Sequence, residues 1–173
     1  MTEKEFMSKI ANGQRDLLQE FVGILKKNEI SFCIIGGLAV NAYAEPVISL
    51  DLDIVVAATD SDLLLKNLPK EYSIKKEKHS VNISVPFSDL RIQLHSDNRY
   101  QEFTARAAWK TVIGYDLPVA IPEDVLQGKL WAYSDPERRP SKRQKDLADI
   151  MRLVEAIPKL RERLPDDIRR QFI

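Results

Sequence analysis

The chain is poor in cysteine, with Cys33 alone in 173 residues. A single thiol excludes an internal disulfide and agrees with a reducing compartment. Cys33 sits in the apolar run "ISFCIIGG", so it reads as a small buried hydrophobe rather than a reactive group. An excess of one charge is also missing, because 26 Lys and Arg balance 26 Asp and Glu. No global field therefore recruits nucleic acid or membrane, and any anion site must be local. The apolar runs fall far short of a membrane span. The opening "MTEKEFMSKI" has no signal-peptide pattern, so a cytoplasmic protein without a membrane partner is expected. Internal repeats and low-complexity segments are absent. Of the two histidines, His79 and His95 are not spaced as a metal pair, and a surface or capping role is expected for each.

What is present is an ordinary globular composition, 44% hydrophobic and 30% charged, enough for one domain with a real core. "TEKE" forms a possible capping box. A helix is predicted from about Gln14 to Lys27, with Leu18, Phe21, Val22 and Leu25 at helical spacing. "ISFCIIGG" reads as a buried strand ending in a glycine turn, "LAVNAYA" as a short helix and "LDLDIVVA" as a second strand. "TDSDLLLKNLP" reads as a helix capped by Thr59 or Asp60. Short strands are expected around Tyr72 to Lys76, Val81 to Val85 and Leu90 to Leu94. "DNRYQEFTARA" looks helical, and "KTVIGYDLPVAI" reads as a hairpin bending near Gly114. Pro122 suits the first turn of a helix running to about Tyr133. "SDPERRPSKR" reads as a loop before a helix from Lys142 to Ala156. The pattern predicts an α+β protein with an α/β-like core: a sheet part over 1–121 and a helical part over 122–173, packed as one compact unit.

Two aspartates head a segment that is otherwise apolar. On a strand, residues two apart point the same way, so Asp51 and Asp53 project side by side. Carboxylates that close repel each other unless a cation lies between them. Hard oxygen ligands suit Mg²⁺, which takes one or two carboxylates together with phosphate oxygens. Gly36 and Gly37 end the preceding strand just before a helix. Without a Cβ they let a phosphate approach the backbone, beside the free N–H groups of a helix start. Each feature has an ordinary reading alone, a tight turn or a solvated strand edge. Together they describe a nucleoside triphosphate·Mg²⁺ site.

The segment "IIGGLAVNAYAEPVISLDLDIVV" resembles the core motif of the nucleotidyltransferase superfamily, the DNA polymerase β-like fold. It is most similar to the AbiEii-type nucleotidyltransferases of toxin–antitoxin and phage-defence systems. Gly36, Gly37, Asp51 and Asp53 match that motif, and Ser49 fits the hydroxyl residue two before the first Asp. "LQGKLWAY" and "KRQKDLADIMRL" are similar to later family segments, so the resemblance covers about Ser31 to Leu153. It implies a nucleotidyltransferase fold, a mixed β-sheet flanked by helices with a helical C-terminal part. It also implies Mg²⁺- or Mn²⁺-dependent transfer of a nucleoside monophosphate from a triphosphate to a hydroxyl acceptor. That acceptor would be tRNA or other RNA, a protein or a small molecule, and a cognate antitoxin or other partner protein is implied too. Asp51 and Asp53 would hold the metal and carry catalysis. Gly36, Gly37 and Ser49 would hold the phosphates.

Lys129 lies on the stripe of Val125, Leu126 and Tyr133, where an ammonium must snorkel or meet an anion. A triphosphate would serve, and Lys145 would act likewise. Asp146 and Asp149 share a helix face and would position Lys129 or close the site. A surface salt-bridge array has the same spacing. The basic run Arg138, Arg139, Lys142 and Arg143 suits a phosphate backbone or a solvated loop equally. Two departures stand out. Val47 and Ile48 occupy the place of a common Arg or Lys. Gln93 occupies the place of a third carboxylate, and glutamine cannot take a proton at neutral pH. The alternative is therefore a catalytically silent relative that binds nucleotide or a partner protein. A third reading, an enzyme of the aminoglycoside nucleotidyltransferase kind, calls for a deep acidic acceptor cleft.

Overall fold

A computed structural model describes residues 1–172; Ile173, the last residue of the expected helical part, lies outside them. Helix α1 spans Glu3–Ile10, and the Thr2/Glu5 capping box is formed. Helix α2 spans Leu17–Lys27. It starts later than the sequence suggests because Asp16 caps it, accepting a hydrogen bond from the Gln19 N–H. Its buried residues Leu17, Leu18, Phe21, Val22 and Leu25 form the expected stripe.

Strand β1, Phe32–Ile35, is buried at every position. Cys33 is fully buried within it, and burial pushes its thiol up to about 12, which agrees with a structural role. Helix α3 is Gly36–Val40: it begins with the glycine pair expected as a turn and stops before the end of "LAVNAYA". The remainder becomes turns because Asn41 folds the chain back, pairing with both the N–H and the carbonyl of Val47. Strand β2 is Asp51–Val56. Helix α4, Ala58–Lys66, starts at Ala57 without a side-chain cap, so neither Thr59 nor Asp60 caps it. Strands β3, Ser73–Lys76, β4, Ser80–Val85, and β5, Ser88–His95, follow as expected. A 3₁₀ turn at Asn98–Tyr100 leads into α5, Gln101–Arg106. Strands β6, Ala108–Val112, and β7, Tyr115–Val119, make the hairpin, with Gly114 at φ +76° in its bend.

Helix α6 is Pro122–Ser134, with the proline in its first turn. Helix α7, Pro140–Ala156, begins inside the segment read as a loop, because Pro140 also supplies a first-turn proline. A 3₁₀ helix at Pro158–Arg163 and α8, Asp166–Arg169, end the chain. Among the described residues no helix is long and apolar enough to cross a membrane.

The strands form one mixed seven-stranded sheet in the order β3-β4-β5-β2-β1-β7-β6. β2 runs antiparallel to β1 and parallel to β5, while β1 runs parallel to β7. The two motif strands are thus neighbours at the sheet centre, with helices on its flanks. One buried cluster joins residues of α2, the central strands, α6 and α7.

Candidate active site

The β1–β2 pairing places Ile35 opposite Asp53, so the turn leaving β1 meets the aspartates of β2. Gly36 has φ +70°, a conformation that favours glycine, and any Cβ there would collide with the Asp53 carboxylate. The glycine is therefore required by that close approach. Gly37 is different: a Cβ would meet Ser49 Oγ at 3.7 Å and Asp149 Oδ2 at 3.8 Å, ordinary contacts. Ser49 is buried; its Oγ accepts from the Asp51 N–H at 3.3 Å and from Lys145 Nζ at 3.3 Å.

Asp51 and Asp53 share one face of β2, and both are half-buried. The parallel pairing with β5 sets Asp51 level with Arg91, Asp53 with Gln93 and Val55 with His95. Gln93 thus stands directly beside Asp53. Its amide donates to Ser80 Oγ at 3.0 Å. Asp51 accepts from Arg91 Nε at 2.8 Å and from Lys142 Nζ at 2.9 Å. Asp53 Oδ1 lies 3.0 Å from His95 Nε2. Burial alone would raise the Asp53 carboxyl, but the His95 bond and the charges of His95, Lys129 and Arg138 outweigh it and hold it below the usual carboxylate range. His95, in contact with Asp53 and in the lining of the same cavity, belongs to the candidate site, a correction to the surface or capping role expected for it. Its signal was the two-residue alternation that places it on the face of Gln93. His79 is exposed, as expected.

Lys129 is buried, and its ammonium lies 3.0 Å from Asp146 and 2.7 Å from Asp149. Asp146 also receives Arg138 at 2.8 Å, and Asp149 receives Arg152 at 2.8 Å. Arg152 reaches on to Asn41, which ties α7 to the loop that delivers Ser49. Burial would lower the Lys129 ammonium, but Asp149 and Asp146 outweigh it and raise it above the ordinary lysine value. The lysine is charged and neutralised within the protein. The basic run separates: Arg138 joins Asp146, Lys142 joins Asp51, and Arg143 donates to the Asp135 carbonyl.

A cavity of about 660 Å³ opens beside Asp53, with Gly36, Gln93, His95, Lys129 and Arg138 in its lining. One wall is aromatic. Tyr100 and Trp131 meet edge to face at 5.4 Å, and Trp131 stacks on Phe103 at 5.9 Å. The volume lies in the range of small-molecule sites. The structure brings the glycine turn, both carboxylates and Gln93 together, with Lys129 and Asp146 across the same cavity. Ser49, Lys145 and Asp149 sit beside them, behind Gly37.

Among the described residues no group of three or more His, Cys, Asp or Glu is arranged to hold a metal. The donors are the Asp51–Asp53 pair, with an amide at Gln93. Once released by Arg91, Lys142 and His95, that set would suit one Mg²⁺ that brings phosphate oxygens of its own. It lacks a third carboxylate for a second ion.

No family model matches the chain, and no curated protein does. Solved structures do. The chain is similar to ANT(2")-Ia in complex with adenylyl-2"-tobramycin, with TM-score 0.64 and 14% identity over 91% of this chain and 97% of the other. It is similar to the lincosamide antibiotic adenylyltransferase LnuA, lincomycin-bound, with TM-score 0.56 and 10% identity over 82% and 98%. An antigenic nucleotidyltransferase-like protein from Paracoccidioides brasiliensis gives TM-score 0.54 and 18% identity over 95% and 91%. At these identities the likeness establishes architecture: the chain has the nucleotidyltransferase fold.

Proposed function

We propose that the protein is a nucleotidyltransferase. It moves a nucleoside monophosphate from a triphosphate to a hydroxyl acceptor, with one Mg²⁺ or Mn²⁺ held by Asp51 and Asp53. The observation that carries this reading is the fit between Gly36 and Asp53. A left-handed glycine is kept against a carboxylate that has a second carboxylate two residues away on the same face. A left-handed backbone open only to glycine, held against a half-buried carboxylate, leaves a space beside Asp53 that a side chain would fill. In the reaction the acceptor oxygen bonds the α-phosphorus, the bond to the bridging α–β oxygen breaks, and pyrophosphate leaves. The hydroxyl proton passes to solvent, and Gln93 takes no part in its removal. An ion held by Asp51 and Asp53 would supply charge neutralisation for the phosphate oxygens. Gly36 leaves room for the phosphates, and Arg138 supplies cationic charge across the cavity. Lys129 holds α6 and α7 in place through Asp146 and Asp149, and Lys145 orients Ser49. The relatives LnuA and ANT(2")-Ia, the latter seen with an adenylylated antibiotic, agree with this class of chemistry. A toxin–antitoxin role, a cognate partner protein and a cytoplasmic site are proposed on the motif resemblance and composition alone.

A second reading is favoured by one residue. Gln93 stands level with Asp53, where the resemblance implies a third carboxylate, and a protein so altered binds nucleotide without transferring it. Incubation with α-labelled nucleoside triphosphates, Mg²⁺ and a cell extract separates the two. Label joined covalently to an acceptor, and lost in Asp53→Asn, supports transfer. Label bound but never transferred, with transfer gained in Gln93→Asp, supports the silent relative. Transfer undiminished in Asp53→Asn would remove Asp53 from the mechanism.

A further inference from the structure

Two concavities meet at the aspartate pair. Asp53 lines the cavity of about 660 Å³, Asp51 lines a smaller groove of about 420 Å³, and Gln93 lines both. The strand register produces this division. Asn82 is level with Gln93 across β4–β5, and Lys75 is level with Asn82 across β3–β4. Side chains alternate along each strand, so Lys75, Asn82, Ser84, Arg91 and Gln93 share the face that carries Asp51. Leu52 and Ile92 point the other way and are buried, while Ile74 and Ile83 also border the groove. The outer half of the sheet therefore presents a polar floor that runs straight into the carboxylates, with Lys142 reaching over it from α7.

The charges of the groove are uneven. It is lined by Lys75, Arg91 and Lys142 against the single carboxylate of Asp51. Lys75 is neutralised by Glu77 at 2.8 Å. Arg91 and Lys142 both rest on Asp51, so one carboxylate carries two cations. A polycationic acceptor finds no spare carboxylate there. A phosphate finds the guanidinium fork of Arg91 and the ammonium of Lys142, the two side-chain types that hold phosphate oxygens best.

We propose that this groove is the acceptor subsite, and that the acceptor bears a phosphate near its reacting hydroxyl, bound by Arg91 and Lys142. The proposal rests on the transferase reading. In-line transfer requires the acceptor oxygen to approach the α-phosphorus from the side opposite the leaving pyrophosphate. With the donor in the larger cavity, the groove meets it at Gln93, which lines both, so an acceptor in the groove reaches the aspartate pair from outside the donor's space. A free phosphosugar and the 3′ end of an RNA strand share this chemistry.

The test is calorimetric titration of the whole chain, saturated with Mg²⁺ and a non-hydrolysable triphosphate analogue. The probes are ribose, ribose 5-phosphate and a short single-stranded RNA with a free 3′ hydroxyl. Phosphate-bearing probes should bind and ribose should not. Arg91→Gln and Lys142→Gln should each weaken them about tenfold, the loss of one charge-assisted contact. The analogue should stay bound in both variants, and melting curves should match wild type. Binding of the RNA alone assigns a strand end, binding of ribose 5-phosphate alone assigns a small phosphosugar, and binding of both supports the shared phosphate contact. Suppose the analogue binds and is lost in Asp53→Asn, yet phosphate probes bind no better than ribose or ignore both substitutions. The groove proposal is then overturned while the transferase reading survives. If the analogue itself does not bind, both fail.

Discussion

Two clusters of opposed charge flank the motif strands, and they are built for different ends. Around Lys129 every carboxylate is enclosed, with side-chain exposures of 9% for Lys129 and 1% for Asp146. Around Asp51 the cations are long and wet, 64% exposed for Arg91 and 32% for Lys142. A buried pair is costly to break, because removing one partner strands the other charge away from water. An exposed pair contributes little and exchanges readily. The first cluster therefore fastens α6, α7 and the Ser49 loop together. The second can release its carboxylate to a ligand. The residues are the same chemical types, and burial alone separates a pair that fastens the fold from one that can exchange its partners.

The largest expected effect breaks the buried cluster. Lys129→Met should cost about 3–5 kcal/mol, since it leaves Asp146 and Asp149 without their shared ammonium; urea unfolding at neutral pH measures it. Next comes Gly36→Ala, at about 1–3 kcal/mol for a non-glycine residue forced into a left-handed conformation. It should also abolish nucleotide binding, because the new methyl group displaces the Asp53 carboxylate. A pH series sharpens the comparison. Lys129 titrates above its ordinary value when folded. Its contribution is then complete below the unfolded lysine value of about 10.4 and is lost as pH rises through the higher folded value. The melting-temperature gap between wild type and Lys129→Met should hold steady from neutral pH to about pH 10 and narrow beyond it. The smallest effect is expected at the exposed cluster, where Arg91→Gln should shift stability by no more than about 0.5 kcal/mol. A large loss there would mean that the second cluster is structural as well.

Much of this was legible in the sequence. The apolar run closed by Gly36 and Gly37 and the alternation of Asp51 and Asp53 fixed both motif strands, because a four- to six-residue buried strand bounded by glycine and aspartate has few other readings. The spacing of Asp146 and Asp149 announced a shared face toward Lys129, though not that the two would hold its ammonium between them. Helix boundaries were less visible. The basic loop concealed the start of α7 at Pro140, and α4 begins without the cap its sequence suggested. The partners of the aspartates were the hidden part. Arg91 and His95 reach them only through the parallel pairing of β2 with β5, a tertiary register between segments some forty residues apart. Lys142 reaches Asp51 from still farther along the chain. Local pattern reports which face a side chain occupies, and it does not report which strand will lie beside it.

The most direct test of the central claim is calorimetric titration of the protein with each nucleoside triphosphate, with and without Mg²⁺, beside Asp53→Asn. The account predicts binding that requires the ion and disappears in the variant, while the variant keeps a cooperative unfolding transition. Binding that is the same with or without Mg²⁺ and unchanged in Asp53→Asn would contradict it, and the aspartate pair would then have to be explained by the fold alone.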